Sequence, residues 1–270
     1  MKTLLELSSE NGILIAAHRG ASAVAPEGTI TAFSEAIRVG ADMIEIDIQF
    51  TKDDKIIAYH DDNIDLFDNT DRVDGDFYEN NLKISDVNFS DIKHFDVGKK
   101  INKNFASEKI PLLEDVFELI KNKTYATIEI KPKFSGKNES NLFFLYKLIK
   151  KYNLLEYVVL ASFDIENIKY LKNLDKDLLV AVIHNPQIAN LPSEYKLKTN
   201  CEAFICDIND LDEKINEDAR NNNIFLGVYG VNDKATLKKA IDYKVVVIGT
   251  DDPEKIIFLH KELQESQTFV

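Results

Sequence analysis

The sequence predicts an α/β protein folded as an eight-stranded parallel barrel, and three observations carry that expectation. Short runs rich in Ile, Val and Phe alternate with longer amphipathic stretches along most of the chain, the mark of repeated βα units. The short runs are apolar nearly throughout, as expected of strands covered on both faces. The length, 270 residues, suits a barrel of about 250 residues that folds as a single domain.

The strand candidates, in order, are Ile13–Ala17, Met43–Ile48, Ile56–His60, Tyr125–Ile130, Tyr157–Ser162, Leu178–Ile183, Ala203–Asp207, Ile224–Tyr229 and Val245–Gly249. Helical patterns fall between most of them: Thr29–Val39, Leu112–Lys121, Leu142–Lys151, Ile165–Asn173, Asp212–Asn221 and Asp233–Tyr243, with a last helix starting near Pro253. The final ten residues are polar and are expected to fray. A closed barrel needs one strand fewer. Gln49–Lys55 leaves no room for a crossover helix, so the second and third candidates should form an antiparallel hairpin. With Asp53-Asp54 as a two-residue turn, the register sets Asp47 opposite His60, with Glu45 on the same face. The stretch 61–110 is rich in Asp, Asn and Lys, carries Asp74-Gly75 as a turn signal, and reads as a small insertion capping the barrel.

Composition excludes several classes. The chain holds 33 Lys and Arg against 46 Asp and Glu, a formal charge of −13, and is 44% hydrophobic. Such a chain is globular rather than disordered. Its acidity opposes nucleic-acid binding and electrostatic docking on anionic lipid, so no nucleic-acid partner and no stable membrane association are expected. The first apolar run is too short for a signal segment, and no stretch approaches the length of a membrane span; a cytoplasmic location is expected. Cys201 and Cys206 form neither a zinc set nor a C-x-x-C motif and read as buried free thiols.

Four segments place charge where strand burial would otherwise forbid it. Ala16-Ala17-His18-Arg19-Gly20 ends a strand, the place where barrel ligands sit, although an exposed strand end would explain the tripeptide alone. In Ile44-Glu45-Ile46-Asp47-Ile48 the carboxylates share one face and repel unless a cation joins them; an edge strand facing water is the alternative. Ile128-Glu129-Ile130-Lys131-Pro132 repeats the device, either as an ion pair or as the third member of an all-oxygen set suited to Mg²⁺ or Ca²⁺. His60-Asp61 closes the hairpin arm. His18 and His60 could flank a phosphodiester, one removing a proton and the other protonating the leaving alkoxide, with acid and base unassigned. His184, before Asn185-Pro186, is a further candidate for the rim. Phosphate-loop, dinucleotide, zincin and nucleophile-elbow motifs are all missing from the sequence.

These residues resemble, in order and over nearly the whole chain, the glycerophosphodiester phosphodiesterase family of metal-dependent TIM (β/α)8 barrels. The resemblance rests on His18-Arg19-Gly20, Ala25-Pro26-Glu27-Gly28-Thr29, Gly40 to Asp47, Thr51-Lys52-Asp53, His60-Asp61, Ile110 to Asp115, Ile128 to Lys131, Ser162-Phe163-Asp164, Val231-Asn232 and Thr250 to Pro253. It implies one domain over residues 1–270 with 61–110 as the cap. It also implies His18 and His60 as the acid/base pair, and Arg19 and Lys131 at the phosphate. Glu45, Asp47 and Glu129 would hold one divalent cation, Mg²⁺ or Ca²⁺. The implied reaction releases sn-glycerol 3-phosphate and an alcohol from a small-molecule glycerophosphodiester. Lysophospholipids, or phosphodiester binding without turnover, are the alternatives. The chain departs from the family pattern at Gly28 (usually Asn), at Asp68 within Phe67-Asp68-Asn69-Thr70 (usually Arg-Thr-Thr), and at Tyr229 (usually Trp), which keeps an aromatic surface on the substrate side.

Overall fold

The computed structural model describes residues 12–64, 82–99, 102–131 and 138–268. Strands β1 (Leu14–Ala17), β2 (Met43–Phe50), β3 (Ile56–Ala58), β4 (Asn63–Ile64), β5 (Leu82–Lys83) and β6 (Tyr125–Ile130) are followed by five more. These are β7 (Val158–Ser162), β8 (Val180–Ile183), β9 (Ala203–Asp207), β10 (Phe225–Tyr229) and β11 (Val247–Thr250). Their order is β1-β11-β10-β9-β8-β7-β6-β2, and a further β1–β2 pairing closes the ring. The eight closing strands pair in parallel, so the fold is the TIM (β/α)8 barrel expected. β3 hangs from β2 as the antiparallel arm.

The period of two divides each strand between two packings. Ile15, Ala17, Ile44, Ile46, Ile48, Ala126, Ile128 and Ile130 join the main core under the helices. Leu14, Ala16, Met43 and Tyr125 form a separate cluster, and Ala161, Ala181 and Ile183 another. Glu45, Asp47 and Glu129 fall on that second parity, away from the Ile face.

The helices are α1 (Ile30–Val39), α2 (Phe89–Ile92), α3 (Leu113–Ile120), α4 (Asn138–Lys151), α5 (Ile165–Leu174), α6 (Pro192–Thr199), α7 (Glu213–Asn221), α8 (Lys234–Asp242) and α9 (Pro253–Thr268). The Thr29 side chain caps α1 by accepting from Ala32 N–H, and Gly40 ends it at φ 87°; such a cap contributes about 1 kcal/mol. Phe33 of α1 and Phe117 of α3 are fully buried, each stabilising the fold by roughly 1.5–3 kcal/mol. α6 is absent from the sequence reading because Pro-Ser-Glu-Tyr-Lys-Leu-Lys-Thr has no apolar stripe and leaves Leu197 86% exposed. α9 persists to Thr268 rather than fraying at its polar end.

The hairpin register differs from the expected one by a single residue. Ile48 pairs with Ala58, Gln49 with Ile57 and Phe50 with Ile56. Thr51 N–H donates to the Lys55 carbonyl, and Asp54 sits at φ 58°. The loop therefore has three residues with a left-handed third position, a common hairpin geometry that the two-residue assumption misses. A two-residue turn would have set Asp47 opposite His60; instead, the ladder ends before His60.

Segment 61–110 contributes the β4–β5 pair and α2. Ile64, Ile84, Val87, Ile92 and Ile110 pack with Ile57 of β3 as a small satellite core. Asp68 and Asp74-Gly75 lie outside the described residues. No helix among the described residues is long and apolar enough to cross a membrane. Cys201 and Cys206 are buried free thiols, as expected.

Candidate active site

The carboxyl ends of β1, β2 and β6 bring the charged residues together. Beyond Ala17 the chain turns sharply: Arg19 takes φ 58° and Gly20 φ 84°. A Cβ on Gly20 would lie 2.6 Å from the Ala32 backbone, so α1 packs directly on that glycine. Arg19 has no such licence, and a non-glycine residue in this region is strained by roughly 1–3 kcal/mol. Its backbone N–H donates to Glu45 Oε2 at 2.9 Å, and its carbonyl accepts from Gly28 N–H at 3.0 Å. Gly28 is itself at φ 68°. Glycine in place of the family's asparagine thus keeps a left-handed position with one of the two residues that favour it.

His18 Nδ1 lies 2.8 Å from Asp251 Oδ1. Asn232 Nδ2 donates to Asp251 Oδ2 at 2.7 Å, and Asn232 Oδ1 accepts from Thr250 Oγ1 and Asp251 N–H, both at 2.9 Å. Burial works against a charged His18. The Asp251 bond and the Glu45 charge outweigh it, raising His18 above its ordinary value.

His60 reaches the same cavity by a different device. Tyr59 N–H donates to Asp47 O at 3.0 Å, and the chain then leaves the ladder. The buried Gln49 amide donates to the carbonyls of Tyr59 (3.1 Å), His60 (3.3 Å) and Asp61 (2.6 Å), holding the departing backbone. His60 Nδ1 lies 2.8 Å from Asp61 Oδ1.

Parallel pairing sets Asp47 beside Glu129, and Glu45, Asp47 and Glu129 each offer an oxygen within 4.8 Å of the others. Lys131 Nζ stands 2.7 Å from Asp47 Oδ1 and 2.6 Å from Glu129 Oε1. Arg19 Nε is 3.1 Å from Asp47 Oδ2, close enough for ion pairing but without hydrogen-bond geometry. Burial, then the Asp47 charge, pushes the Glu45 carboxyl up to about 8, and the same two causes raise Glu129. Lys131 is raised because Asp47 and Glu129 outweigh its burial. Glu45 Oε1 is buried with no hydrogen-bond partner. Three crowded, desolvated carboxylates, of which Glu45 Oε1 and Asp47 Oδ2 lack a hydrogen bond, fit a hard divalent cation, which would relieve both the repulsion and the unsatisfied acceptors.

These groups, apart from the buried Asp47, line a cavity of about 280 Å³ together with Phe163, Ile183, Ile205 and Tyr229. Of the candidate residues, His18, Arg19, Glu45, His60, Glu129, Lys131 and Tyr229 line this cavity, and Asp47 contacts Arg19 and Lys131 behind its wall. Tyr229 has its hydroxyl pushed up to about 12 by burial and by Asp207 and Asp210. His184 does not line the cavity. It is buried outside the barrel wall against Phe204 and Tyr195, with centroids at 5.3 and 6.4 Å. Asp251, Asn232, Gln49 and Glu27 also support the site, and no local pattern in the sequence assigns them a role. Glu27, Asn232 and Asp251 belong to the family-like motifs, but only the closing of β11 on β1 sets Asp251 beside His18.

Fold and site together define a TIM barrel that gathers acidic, basic and imidazole side chains at the carboxyl ends of its strands. The chain belongs to the glycerophosphoryl diester phosphodiesterase family, whose model matches residues 18–255. It is 33% identical over 253 residues to a glycerophosphodiester phosphodiesterase of Caldanaerobacter subterraneus subsp. tengcongensis, covering 91% of this chain and 97% of that protein. A Bacillus subtilis glycerophosphodiester phosphodiesterase is 28% identical over 263 residues, covering 92% and 86% of the two chains. An Oleispira antarctica phosphodiesterase, solved in complex with the product sn-glycerol-3-phosphate, shares the fold at a TM-score of 0.79 and 20% identity, covering 92% of this chain and 96% of that one.

Proposed function

We propose that this protein hydrolyses glycerophosphodiesters to sn-glycerol 3-phosphate and an alcohol, acting in the cytoplasm as a single domain with 61–110 as its cap. The observation that carries the reading is the meeting of two histidines, Arg19, Lys131 and three carboxylates around one cavity in a chain of this family. Glu45, Asp47 and Glu129 would hold one Mg²⁺ or Ca²⁺, which when bound supplies Lewis-acid polarisation of a phosphoryl oxygen. Arg19 and Lys131 hold the diester anion and stabilise the charge that builds on its oxygens. Tyr229 and Phe163 border the organic part of the substrate.

Each histidine has Nδ1 against a carboxylate, Asp251 for His18 and Asp61 for His60. A proton held at Nδ1 leaves Nε2 to exchange protons with the substrate. One imidazole takes a proton from the attacking oxygen as the new P–O bond forms; that oxygen is water's, or the substrate's own glycerol hydroxyl, in which case water then opens the resulting cyclic phosphate. The other donates a proton to the alkoxide as the old P–O bond breaks.

The test is glycerol 3-phosphate release from glycerophosphocholine by wild type and His18→Ala, with and without chelator. Release by wild type that chelator abolishes and His18→Ala lacks supports the reading. Equal release by both proteins, or activity indifferent to chelator, overturns it.

A further inference from the structure

We propose that Glu27 is a positioning residue that aims the Arg19 guanidinium at the bound phosphate; this rests on the reading of Arg19 as a phosphate ligand. Arg19 Nη1 lies 3.0 and 3.1 Å from the two Glu27 carboxylate oxygens and donates to them. Nε rests against Asp47 Oδ2 at 3.1 Å. Nη2 has no partner among the described residues, and Arg19 lines the cavity. Glu27 thus holds Nη1 by hydrogen bonds, Nε only faces the Asp47 charge, and Nη2 is left with both N–H groups to offer a phosphate oxygen.

The backbone reinforces the arrangement. Gly28, the residue after Glu27, donates to the Arg19 carbonyl at 3.0 Å. The loop from Arg19 to Gly28 is therefore closed twice, once through the main chain and once through the two side chains. A guanidinium anchored at both ends of its own loop loses little orientational freedom when the anion arrives.

The sign of the effect separates this role from a bystander's. Glu27 is about half exposed, and as a mere neighbouring anion it would repel the phosphate, so neutralising it would tighten binding. As a positioning residue, its removal weakens binding despite the lost repulsion.

The experiment measures binding of inorganic phosphate and of glycerol 3-phosphate by calorimetry on wild type, Glu27→Gln, Glu27→Ala, Arg19→Ala and the Glu27→Ala/Arg19→Ala double variant. Melting temperatures confirm folding, and Glu27→Gln, which keeps the side-chain shape, serves should Glu27→Ala not fold. Glu27→Ala should weaken anion binding about tenfold. Glu27→Gln, which retains one acceptor, should recover part of that loss. In the Arg19→Ala background, Glu27→Ala should have no further effect. Unchanged or tighter anion binding, or the same loss with Arg19 absent, would overturn the proposal. Because the phosphate measurement needs no turnover, it stands apart from the hydrolysis assay, and failure of the catalytic reading is seen separately as a wild type without diesterase activity.

Discussion

Arg19 and Gly28 both occupy the left-handed region, at φ 58° and 68°, and a 3.0 Å hydrogen bond from Gly28 N–H to the Arg19 carbonyl ties them together. A Cβ at Gly28 would meet only the Ala58 carbonyl, at an ordinary 3.6 Å. Space is therefore available, and backbone conformation alone decides which residues fit. Gly28→Asn should leave stability within about 0.5 kcal/mol of wild type, whereas Gly28→Val should cost about 1–2 kcal/mol. Denaturant titration of the two variants checks the difference, and equal losses would refute the conformational account.

His18 and Asp251 generate a kinetic prediction. His18→Ala should lower kcat by about 10²- to 10⁴-fold, the usual contribution of a proton-transfer group. Asp251→Asn removes a carboxylate that raises the His18 pKa. The limb of the pH–rate profile that reports His18 should therefore move to lower pH, whether the residue serves as acid or as base. A profile of unchanged position would separate Asp251 from the imidazole.

Cation binding should respond to pH through Glu45. Its carboxyl is pushed up to about 8 by burial and the Asp47 charge, so below that pH a cation must displace a proton. Affinity for Mg²⁺ or Ca²⁺ should rise with pH up to about 8 and be lost in Asp47→Asn. Thermal shift gives the readout, since a cation at a hundred times its Kd stabilises by about 2.7 kcal/mol. A melting temperature indifferent to both ions would argue against the site.

Acid lability should come partly from His184. Burial among Phe204 and Tyr195 holds this imidazole below its ordinary 6.5, and its Nδ1 is buried without a hydrogen-bond partner. Below about 6.5 the unfolded chain takes up a proton that the folded chain resists, so stability falls as pH falls. His184→Phe should flatten the decline of melting temperature between about pH 7 and pH 5. His260, also held down by burial, keeps part of the slope. An identical decline in the variant would exclude His184 as a source.

What was legible in the sequence followed local periodicity. Ile44-Glu45-Ile46-Asp47-Ile48 announces its two faces because strand side chains alternate strictly, and the barrel leaves both carboxylates on one parity. The antiparallel arm was legible from the shortness of Gln49–Lys55. Its register was not, because it hung on the backbone conformation of one residue, Asp54. His60 arrives at the cavity through the Gln49 amide rather than through the pairing that the sequence suggested. α6 carries its helix in Pro192 and Glu194 at its first turn, not in any apolar stripe. The Asp251 and Glu27 contacts depend on side-chain geometry across loops, which no periodicity encodes.

The pairing of β1 with β11 also sets an order in time. His18 and Asp251 are separated by 233 positions, which a ribosome adding about 5–20 residues per second crosses in roughly 12–47 s. Once synthesis has passed His60, and for most of that interval, the nascent chain carries His18, Arg19, Glu45, Asp47 and His60, but the strand that brings Asp251 to His18 has not been made. A chain interrupted before β11 would bear most of the polar groups and lack the partner that orients the first of them. The geometry of closure thus withholds the complete constellation until synthesis has passed the last barrel strand.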